Sequence, residues 1–365
     1  MLAAGGTGGH LFPAFALAEE LGRRGIAVDL ITDMRGDRYG TGFPARMIYQ
    51  VPSATLGGRD PLSAAKTALT LARGVKAASG VMATVKPSVV VGFGGYPSFP
   101  PLIAARIKGI PAMLHEQNAV LGRANRMLGK RVSAIATSFE KTKLLDGPMQ
   151  AKARFTGNPV RDIVRKAAVT PYPAGTITSE FRLLVFGGSQ GARFFSEAMP
   201  PAIALLAPEL RAKLVVVQQC RPEDIDAARA AYAQSGVRAE LQSFFTNLPE
   251  IMAASHLVIG RAGASSVAEL TVIGRPAILV PLPHAVDNDQ LTNATRLAEA
   301  GAAVCLEQKD ATPERLSIDI FNCIADPAAL SVAAAAARSL GRPDAVERLA
   351  EMVVALGTGD CPSPR

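Results

Sequence analysis

Short runs of β-branched and apolar residues alternate with longer Ala- and Leu-rich segments of helical period along the whole chain. Seven such runs are predicted to be buried strands, at residues 26–32, 87–93, 110–114, 181–187, 213–219, 256–260 and 276–281. Strands that alternate with helices are typical of βα units and parallel sheets. The sequence therefore predicts an α/β fold.

The length of the chain indicates more than one domain. Its 365 residues are too many for one ordinary core and suit two domains. A segment rich in Pro, Gly, Thr and Ser at 154–182 has weak periodicity, so the interdomain linker is predicted there. The boundaries are set at 1–160, 161–340 and 341–365, with a frayed tail. Only "MLAA" precedes the first glycine loop, so we expect either a start further upstream or a frayed first strand.

Composition narrows the class of protein. Apolar residues make up 48% of the chain and charged residues 19%, which excludes disorder over most of its length. No apolar run is long enough to span a bilayer and no signal peptide is visible, which predicts a cytoplasmic protein. The four cysteines are far apart and are predicted to be free thiols.

Charge indicates an anionic partner. The formal net charge is +8, which suits nucleic acid, a phosphorylated ligand or an acidic membrane surface. The chain has no Trp, only 5% aromatic residues and no interleaving of basic and aromatic residues that would stack bases. We therefore predict no nucleic-acid partner.

Glycine clusters follow the short opening segment "MLAA" at 5–9 and two of the predicted strands at 92–95 and 187–191, and a further predicted strand leads into "GRAGASS" at 260–266. Ligands of open α/β sheets bind at the carboxyl ends of strands, and the amino end of a helix favours phosphate. Each glycine turn alone has an equally good steric explanation. "GGTGGH" lacks the GxGxxG spacing and a following GK[ST], so nicotinamide cofactors and ATP hydrolysis are disfavoured.

Several polar residues next to these turns admit both structural and functional interpretations. His10 could cap its helix or accept a proton from a bound hydroxyl. The polar stretch 115–118 could satisfy loop backbone or bind sugar and amide groups, and Glu269 could be a surface carboxylate or hold a ribose. "DND" at 287–289 matches a DxD metal pattern, but a pattern of three residues arises freely by chance, and no metal site is predicted.

The motifs taken together resemble one family. "GGTGGH", "GFGGYPS", "HEQNAVLGRANR", "GNPVR", "FGGSQGAR", "GRAGASSVAEL" and "PHAVDNDQLTNA" occur in this order between residues 3 and 310. In this order they are similar to the peptidoglycan N-acetylglucosaminyltransferases of glycosyltransferase family 28. Such enzymes move N-acetylglucosamine from UDP to the 4-hydroxyl of undecaprenyl-diphosphate-linked N-acetylmuramoyl-pentapeptide, which turns lipid I into lipid II.

The resemblance implies a glycosyltransferase-B fold with two Rossmann-like domains facing across a cleft. Residues 1–160 would bind lipid I and face the membrane, 161–340 would bind UDP-N-acetylglucosamine, and a C-terminal helix in 341–365 would return to the first domain. The implied reaction is inverting and uses no cofactor or essential metal. The implied location is peripheral, on the cytoplasmic face of the bacterial inner membrane, with cell-wall synthesis and division proteins as possible partners.

The resemblance also implies a role for each motif. His10 is the candidate base, with Glu116 as the alternative, and Arg161 and Ser189 would stabilise the departing diphosphate. Glu269 would hold the ribose, Phe245 would line the uracil pocket, and Gln290 and Asn118 would meet the sugar. The loop residues near the donor sugar and the acceptor diphosphate would be Thr7, Gly8, Gly9, Gly94, Gly95 and Tyr96.

Membrane contact and the reaction itself leave alternatives open. The segment 61–87 mixes Leu, Ala and Val with four basic residues and could be an interfacial helix or an ordinary core-facing helix with a basic outer side. A related UDP-sugar transferase of the same fold and a UDP-sugar epimerase remain alternatives to the lipid I enzyme. From another class, the chain could be a non-catalytic scaffold that binds nucleotide sugars.

Overall fold

The computed structural model describes residues 1–33, 42–55, 61–176 and 179–359, apart from the side chains of 61, 176, 189–192 and 286. The strands in this part of the chain are β1 Leu2–Ala3, β2 Asp29–Thr32, β3 Met47–Gln50, β4 Val90–Gly92, β5 Ala112–Glu116, β6 Ala134–Thr137, β7 Ala153–Phe155, β8 Phe181–Phe186, β9 Leu214–Gln219, β10 Arg238–Gln242, β11 Leu257–Gly260, β12 Ala277–Leu279 and β13 Ala303–Cys305.

Helices connect most of these strands. Their bounds are α1 Gly8–Arg23, α2 Pro61–Val85, α3 Phe99–Ile107, α4 Arg123–Gly129, α5 Gly147–Ala151, α6 Asp162–Ala167, α7 Gly188–Ala204, α8 Pro208–Lys213, α9 Ile225–Gln234, α10 Leu248–Ala254, α11 Ala264–Ile273, α12 Asp289–Glu299, α13 Pro313–Ala325, α14 Pro327–Leu340 and α15 Ala345–Thr358. The α/β class predicted from the sequence is confirmed.

The chain divides into two compact units. The N-terminal unit contains Met1–Arg161 and Arg342–Arg365, and the C-terminal unit contains Asp162–Gly341. Each unit has one parallel sheet, with strand order β3-β2-β1-β4-β5-β6-β7 in the first and β10-β9-β8-β11-β12-β13 in the second. In both sheets the strand order reverses once, between β1 and β4 and between β8 and β11, as in a Rossmann fold.

The sheet of the N-terminal unit is buried on both faces because successive side chains of a strand point to opposite sides. Leu30 and Val91 pack with α1 and α15 on one face. Ile31 and Val90, their neighbours in sequence, pack with α2 and α3 on the other. This double burial explains why the central strands are short continuous apolar runs.

The first strand and the linker differ from expectation. Although β1 has only two residues, Leu2 and Ala3 are buried and pair with both β2 and β4 at the centre of the sheet. The division between the two units falls inside the predicted linker 154–182, but this segment is largely structured. It contains the end of β7, the buried stretch 158–160 and α6, and the two units divide between Arg161 and Asp162.

Two other expectations concern cysteines and membrane spans. Cys220, Cys305 and Cys323 are free thiols, as predicted, and Cys361 lies outside the described residues. In the described ranges no single helix is long and apolar enough to cross a membrane; α13 and the stretch Pro327–Thr358 pass that test only as a pair bent by 96°.

Candidate active site

The glycine turns identified in the sequence lie at the positions where the strand order of each sheet reverses. In the N-terminal unit β1 and β4 are neighbours, so the loop with Thr7 and His10 lies beside the loop with Gly95. In the C-terminal unit β8 and β11 are neighbours, so the turn at Gly187 lies beside the turn at Gly263. Crevices at such reversals are the usual ligand sites of open parallel sheets.

The turn after β1 depends on glycine for two reasons. Gly6 has φ of +81°, in the left-handed region that other residues avoid. A Cβ on Gly5 would lie 2.8 Å from Oγ1 of Thr32, so only glycine fits there. The 16-residue helix α1 starts at Gly8, immediately after this turn, and its amino end presents a partial positive charge. The turn is therefore suited to an anion or to polar sugar groups.

His10 lies in the first turn of α1 with a defined tautomer. Its Nδ1 is 3.3 Å from the carbonyl oxygen of Gly5 and 3.4 Å from Oγ1 of Thr7. Because a carbonyl oxygen only accepts, Nδ1 carries the proton and Nε2 carries the lone pair. Burial lowers the pKa of His10, against the opposing effects of the Gly5 carbonyl and Asp33. The imidazole is therefore neutral at pH 7 and Nε2 can accept a proton.

The loop after β4 packs directly against His10. Gly95 has φ of +67°, and a Cβ there would lie 3.0 Å from Cε1 and 3.2 Å from Nδ1 of the imidazole. The loop is held by Ser98, whose Oγ donates a hydrogen bond to the Gly94 carbonyl oxygen at 2.7 Å. The imidazole can occupy this position only because residue 95 is glycine and has no side chain.

Replacing Gly95 with alanine is expected to reduce kcat by about 10- to 100-fold, because the new methyl group displaces the imidazole. The matched control is Gly109→Ala, which has the same φ of +67° but nothing within 4 Å of the new Cβ. Both variants incur the backbone strain, so steady-state kinetics should separate them. Equal effects of the two substitutions on kcat would contradict the importance of the contact with His10.

The polar stretch at the end of β5 is largely committed to its own loop. Both carboxylate oxygens of the buried Glu116 accept hydrogen bonds, at 2.9 Å from the N–H groups of Asn118 and Gly122 and at 2.8 Å from Nδ2 of Asn125. Burial raises the pKa of Glu116 against the effect of these donors. This geometry favours a role in shaping the loop over the role of base.

His115 and Gln117 are also held internally. His115 Nε2 lies 3.1 Å from the Gly157 carbonyl oxygen, and its Nδ1 accepts from Gln117 Nε2 at 3.0 Å. Burial lowers the pKa of His115 to about 4, so the ring is neutral. Among residues 115–118 only Asn118 is partly exposed, so it is the member of this stretch that a ligand can reach.

Arg161 ends the N-terminal unit and lies over an aromatic ring that the sequence analysis did not select. Its guanidinium carbon is 4.1 Å from the ring centroid of Phe12, on α1. Its position two residues after His10 could have indicated a place near the site, but a single Phe in an apolar helix is normally interpreted as a core residue.

Two glycine turns lead into helices in the C-terminal unit. Gly188, with φ of +65°, starts the 17-residue α7, and the side chain of Ser189 beside it lies outside the described residues. Gly263 precedes α11, whose second turn carries the buried Glu269. Phe245, beyond β10, is buried, whereas its neighbour Phe244, which the sequence analysis did not select, is 65% exposed.

The loop after β12 is held by two side chains, those of Gln290 and Arg261. Gln290 Oε1 accepts from the N–H of Leu282 at 3.0 Å. The buried Arg261 donates to the carbonyl oxygens of Val280 and Pro281 at 3.0 and 3.2 Å, and to Gln308 at 2.7 Å. Sequence analysis missed Arg261, although an arginine directly after a buried strand is an unusual residue. Burial lowers its pKa to about 10.

The "DND" tripeptide has no metal-binding geometry in the described part of the chain. No group of three or more His, Cys, Asp or Glu side chains that could hold a metal ion occurs there. Asp289 instead accepts from the N–H of Gln290 at 2.7 Å, at the start of α12, and burial raises its pKa.

Solved structures share this architecture. The crystal structure of Acinetobacter baumannii MurG superposes with a TM-score of 0.76 at 30% identity, over 97% of this chain and 98% of that chain. The glycosyltransferase of kitacinnamycin superposes with a TM-score of 0.71 at 18% identity, over 99% and 98%. Two Rossmann-like units with ligand turns at both strand reversals define a glycosyltransferase-B fold, as the sequence analysis predicted.

Sequence relatives narrow the class to a family. Residues 1–137 match the glycosyltransferase family 28 N-terminal domain and residues 182–349 match its C-terminal domain. The chain belongs to glycosyltransferase family 28. It is 50% identical to the UDP-N-acetylglucosamine–N-acetylmuramyl-(pentapeptide) pyrophosphoryl-undecaprenol N-acetylglucosamine transferase of Chelativorans sp. (strain BNC1), over 99% of this chain and 96% of that protein. The protein of the same name from Methylobacterium sp. (strain 4-46) is 53% identical, over 97% and 95%.

Proposed function

We propose that this chain transfers N-acetylglucosamine from UDP-N-acetylglucosamine to the 4-hydroxyl of undecaprenyl-diphosphate-linked N-acetylmuramoyl-pentapeptide. The observation that carries the proposal is the identity of 50–53% to transferases of that name over nearly the whole chain. The chemistry of the turns agrees with this proposal, because a sugar transferase needs a base that deprotonates the acceptor hydroxyl and hydrogen-bond donors that bind the diphosphate. The N-terminal unit would bind the lipid acceptor and the C-terminal unit the donor.

The reaction proposed is a single displacement with inversion. The acceptor hydroxyl attacks C1 of N-acetylglucosamine while the bond from C1 to the phosphate oxygen breaks, and UDP leaves with the electron pair. His10 Nε2 takes the proton of the hydroxyl, for which the tautomer set by Gly5 is the correct one. In the N-terminal unit, Arg161, Thr7 and the glycines at the amino end of α1 would stabilise a diphosphate. In the C-terminal unit, Ser189 and the amino end of α7 would donate to the diphosphate of UDP.

The donor would be recognised in the C-terminal unit. Glu269 would accept hydrogen bonds from the ribose hydroxyls, and the loop after β10 with Phe245 would receive the uracil. Gln290 would meet the sugar through its amide nitrogen, since its oxygen is used by Leu282. Asn118 would bind sugar hydroxyls, and Gly94, Gly95 and Tyr96 would line the site of the acceptor diphosphate.

Removing the carboxylate of Glu269 is expected to raise the donor KM by about 10- to 100-fold, because a charge-assisted hydrogen bond is lost. Glu269→Ala should lower the binding affinity for uridine by the same factor as the affinity for UDP, since both ligands contain the ribose. Glu250→Ala removes an exposed carboxylate from α10 and is the matched control. Calorimetric titration with both ligands is the measurement, and an unchanged uridine affinity would remove Glu269 from the ribose site.

The outer face of α2 is proposed to contact the membrane. Leu62 and Leu69, which are 81% and 53% exposed, alternate with the exposed Lys66, Arg73 and Lys76 along this face. Leu71 and Met82 on the opposite face enter the core. Such a surface can insert leucines among lipids while its basic residues meet anionic head groups. Peripheral attachment at the cytoplasmic leaflet would follow.

Vesicle sedimentation tests this face. The double change Lys66→Glu with Lys76→Glu is expected to weaken binding to phosphatidylglycerol vesicles more than tenfold, since each basic residue contributes about 1 kcal/mol at an anionic surface. Lys309→Glu, at an exposed position of the C-terminal unit, is the control. Equal binding by both variants would place the membrane contact elsewhere.

The reaction is tested by mass spectrometry of the purified protein with UDP-N-acetylglucosamine and a short-chain lipid I analogue. One reaction contains EDTA and another omits the acceptor. A disaccharide-lipid that requires the acceptor and forms in EDTA supports the proposal. UDP release without acceptor would indicate an epimerase or hydrolase, and donor binding without turnover would indicate a different acceptor or a scaffold.

A further inference from the structure

The guanidinium of Arg161 lies over the aromatic ring of Phe12. The guanidinium carbon lies 4.1 Å from the ring centroid, well inside the ~6 Å range over which cations and aromatic faces attract. Both side chains are partly exposed, so the pair lies at the surface of the N-terminal unit and not in its core. The backbone just before Arg161 is buried, which fixes the point from which its side chain extends.

Phe12 in turn lies over the first turn of α1. A Cβ added to Gly8 would be 3.2 Å from Cε2 and 3.3 Å from Cζ of the Phe12 ring, so the ring covers the glycine backbone. Gly8 and Phe12 are four positions apart and hence neighbours on the helix surface. The arginine, the ring and the glycine turn thus form a stack, which brings the guanidinium to the positive end of the helix.

We propose that Phe12 is a positioning residue that holds the Arg161 guanidinium ready for a diphosphate group at the amino end of α1. A free arginine side chain loses about 2 kcal/mol of rotamer entropy when a ligand immobilises it. The ring restricts that freedom before the ligand arrives, which reduces the cost at binding. The inference rests on the proposed function, in which Arg161 meets a diphosphate, and adds the residue that orients it.

The test is a double-mutant cycle of Phe12→Leu and Arg161→Ala. Phe12→Leu is expected to reduce kcat/KM about tenfold in the wild-type background and less than twofold when Arg161 is already alanine. Phe12→Tyr keeps an aromatic face and should restore most of the loss. Phe15→Leu makes the same change three positions along α1, at a ring that contacts Phe43, and should leave kcat/KM within twofold.

The affected parameter identifies which diphosphate is bound. A rise in the KM for UDP-N-acetylglucosamine, or a lower kcat alone, indicates the UDP group, and a rise in the KM for the lipid indicates the acceptor. Either change supports the inference when it disappears in the Arg161→Ala background. Losses that are equal in both backgrounds would overturn it, because Phe12 would then act only through packing.

Calorimetry with inorganic pyrophosphate separates this inference from the proposed function. Non-additive losses of pyrophosphate affinity in the two variants would support the positioning role even if the wild-type protein fails to transfer sugar to lipid I. Conversely, active wild-type protein with additive losses would leave the transferase proposal intact and overturn the role of Phe12.

Discussion

His10→Ala is expected to lower kcat by about 10²- to 10⁴-fold with little change in the donor KM, because the acceptor hydroxyl loses its base. The structure supports this expectation through the tautomer, since Nδ1 faces the Gly5 carbonyl and Nε2 has no hydrogen bond within the part of the chain described. The measurement is single-turnover kinetics with saturating donor. A kcat within twofold of wild type would exclude His10 as the base.

The pH profile provides a second test of the same residue. Because burial lowers the pKa of His10, the wild-type kcat should stay constant from pH 8 down to below the 6.5 of free histidine, and only then fall. This acid limb should be absent from the residual activity of His10→Ala. If Glu116 were the base, the limb would persist in that variant. Glu116→Gln is a poorer probe, because an amide cannot accept all the hydrogen bonds that the carboxylate receives.

The second large effect expected is on stability, at Arg275. This side chain is 1% exposed and donates to five carbonyl oxygens, those of Thr170, Pro171, Ala253, Ile273 and Gly274. No carboxylate pairs with it in the described ranges, and burial lowers its pKa to about 10. Its hydrogen bonds therefore connect the segment at Thr170 and Pro171 to the carboxyl ends of α10 and α11.

Arg275→Met is expected to lower the free energy of unfolding of the C-terminal unit by about 3–5 kcal/mol, because several buried carbonyl groups lose a hydrogen-bond donor. With a urea dependence of about 2 kcal/mol/M, the unfolding midpoint falls by about 2 M. Arg229→Met, at an exposed ion pair of α9, should change stability by less than about 0.5 kcal/mol. If the urea midpoint of Arg275→Met lay within about 0.3 M of the wild-type midpoint, the change would be as small as that expected of the control and would contradict the role assigned to Arg275.

The fold could be predicted where burial imposes a pattern. Six of the seven predicted runs contain an observed strand and the seventh, 110–114, overlaps β5, because both faces of a parallel sheet demand continuous apolar residues. Apart from β6, whose four residues are all buried, the strands that were missed lack this signal. β3 and β10 are edge strands with mostly exposed residues, and β1 is too short to show any period.

The candidate site was predictable where the chemistry depends on local sequence. Glycine turns before helices identified the neighbourhood of His10 and Gly95, but their contact depends on β1 and β4 being adjacent, which joins residues 85 positions apart. Phe12 and Arg261 were missed for the same reason, since their partners are distant in sequence. The hydrogen bonds to Glu116 come from the loop that follows it, yet only the structure reveals them.

The last helix has a consequence for synthesis on the ribosome. α15 supplies Leu349, Val353 and Leu356 to the same hydrophobic core as Leu17 and Leu21 of α1. Translation makes α1 before the C-terminal unit and α15 after it, so the part of this face that α15 covers stays exposed while the whole C-terminal unit is being made. The nascent chain therefore carries an exposed apolar surface until α15 has been made, and truncation before Ala345 should yield a protein that aggregates or needs a chaperone.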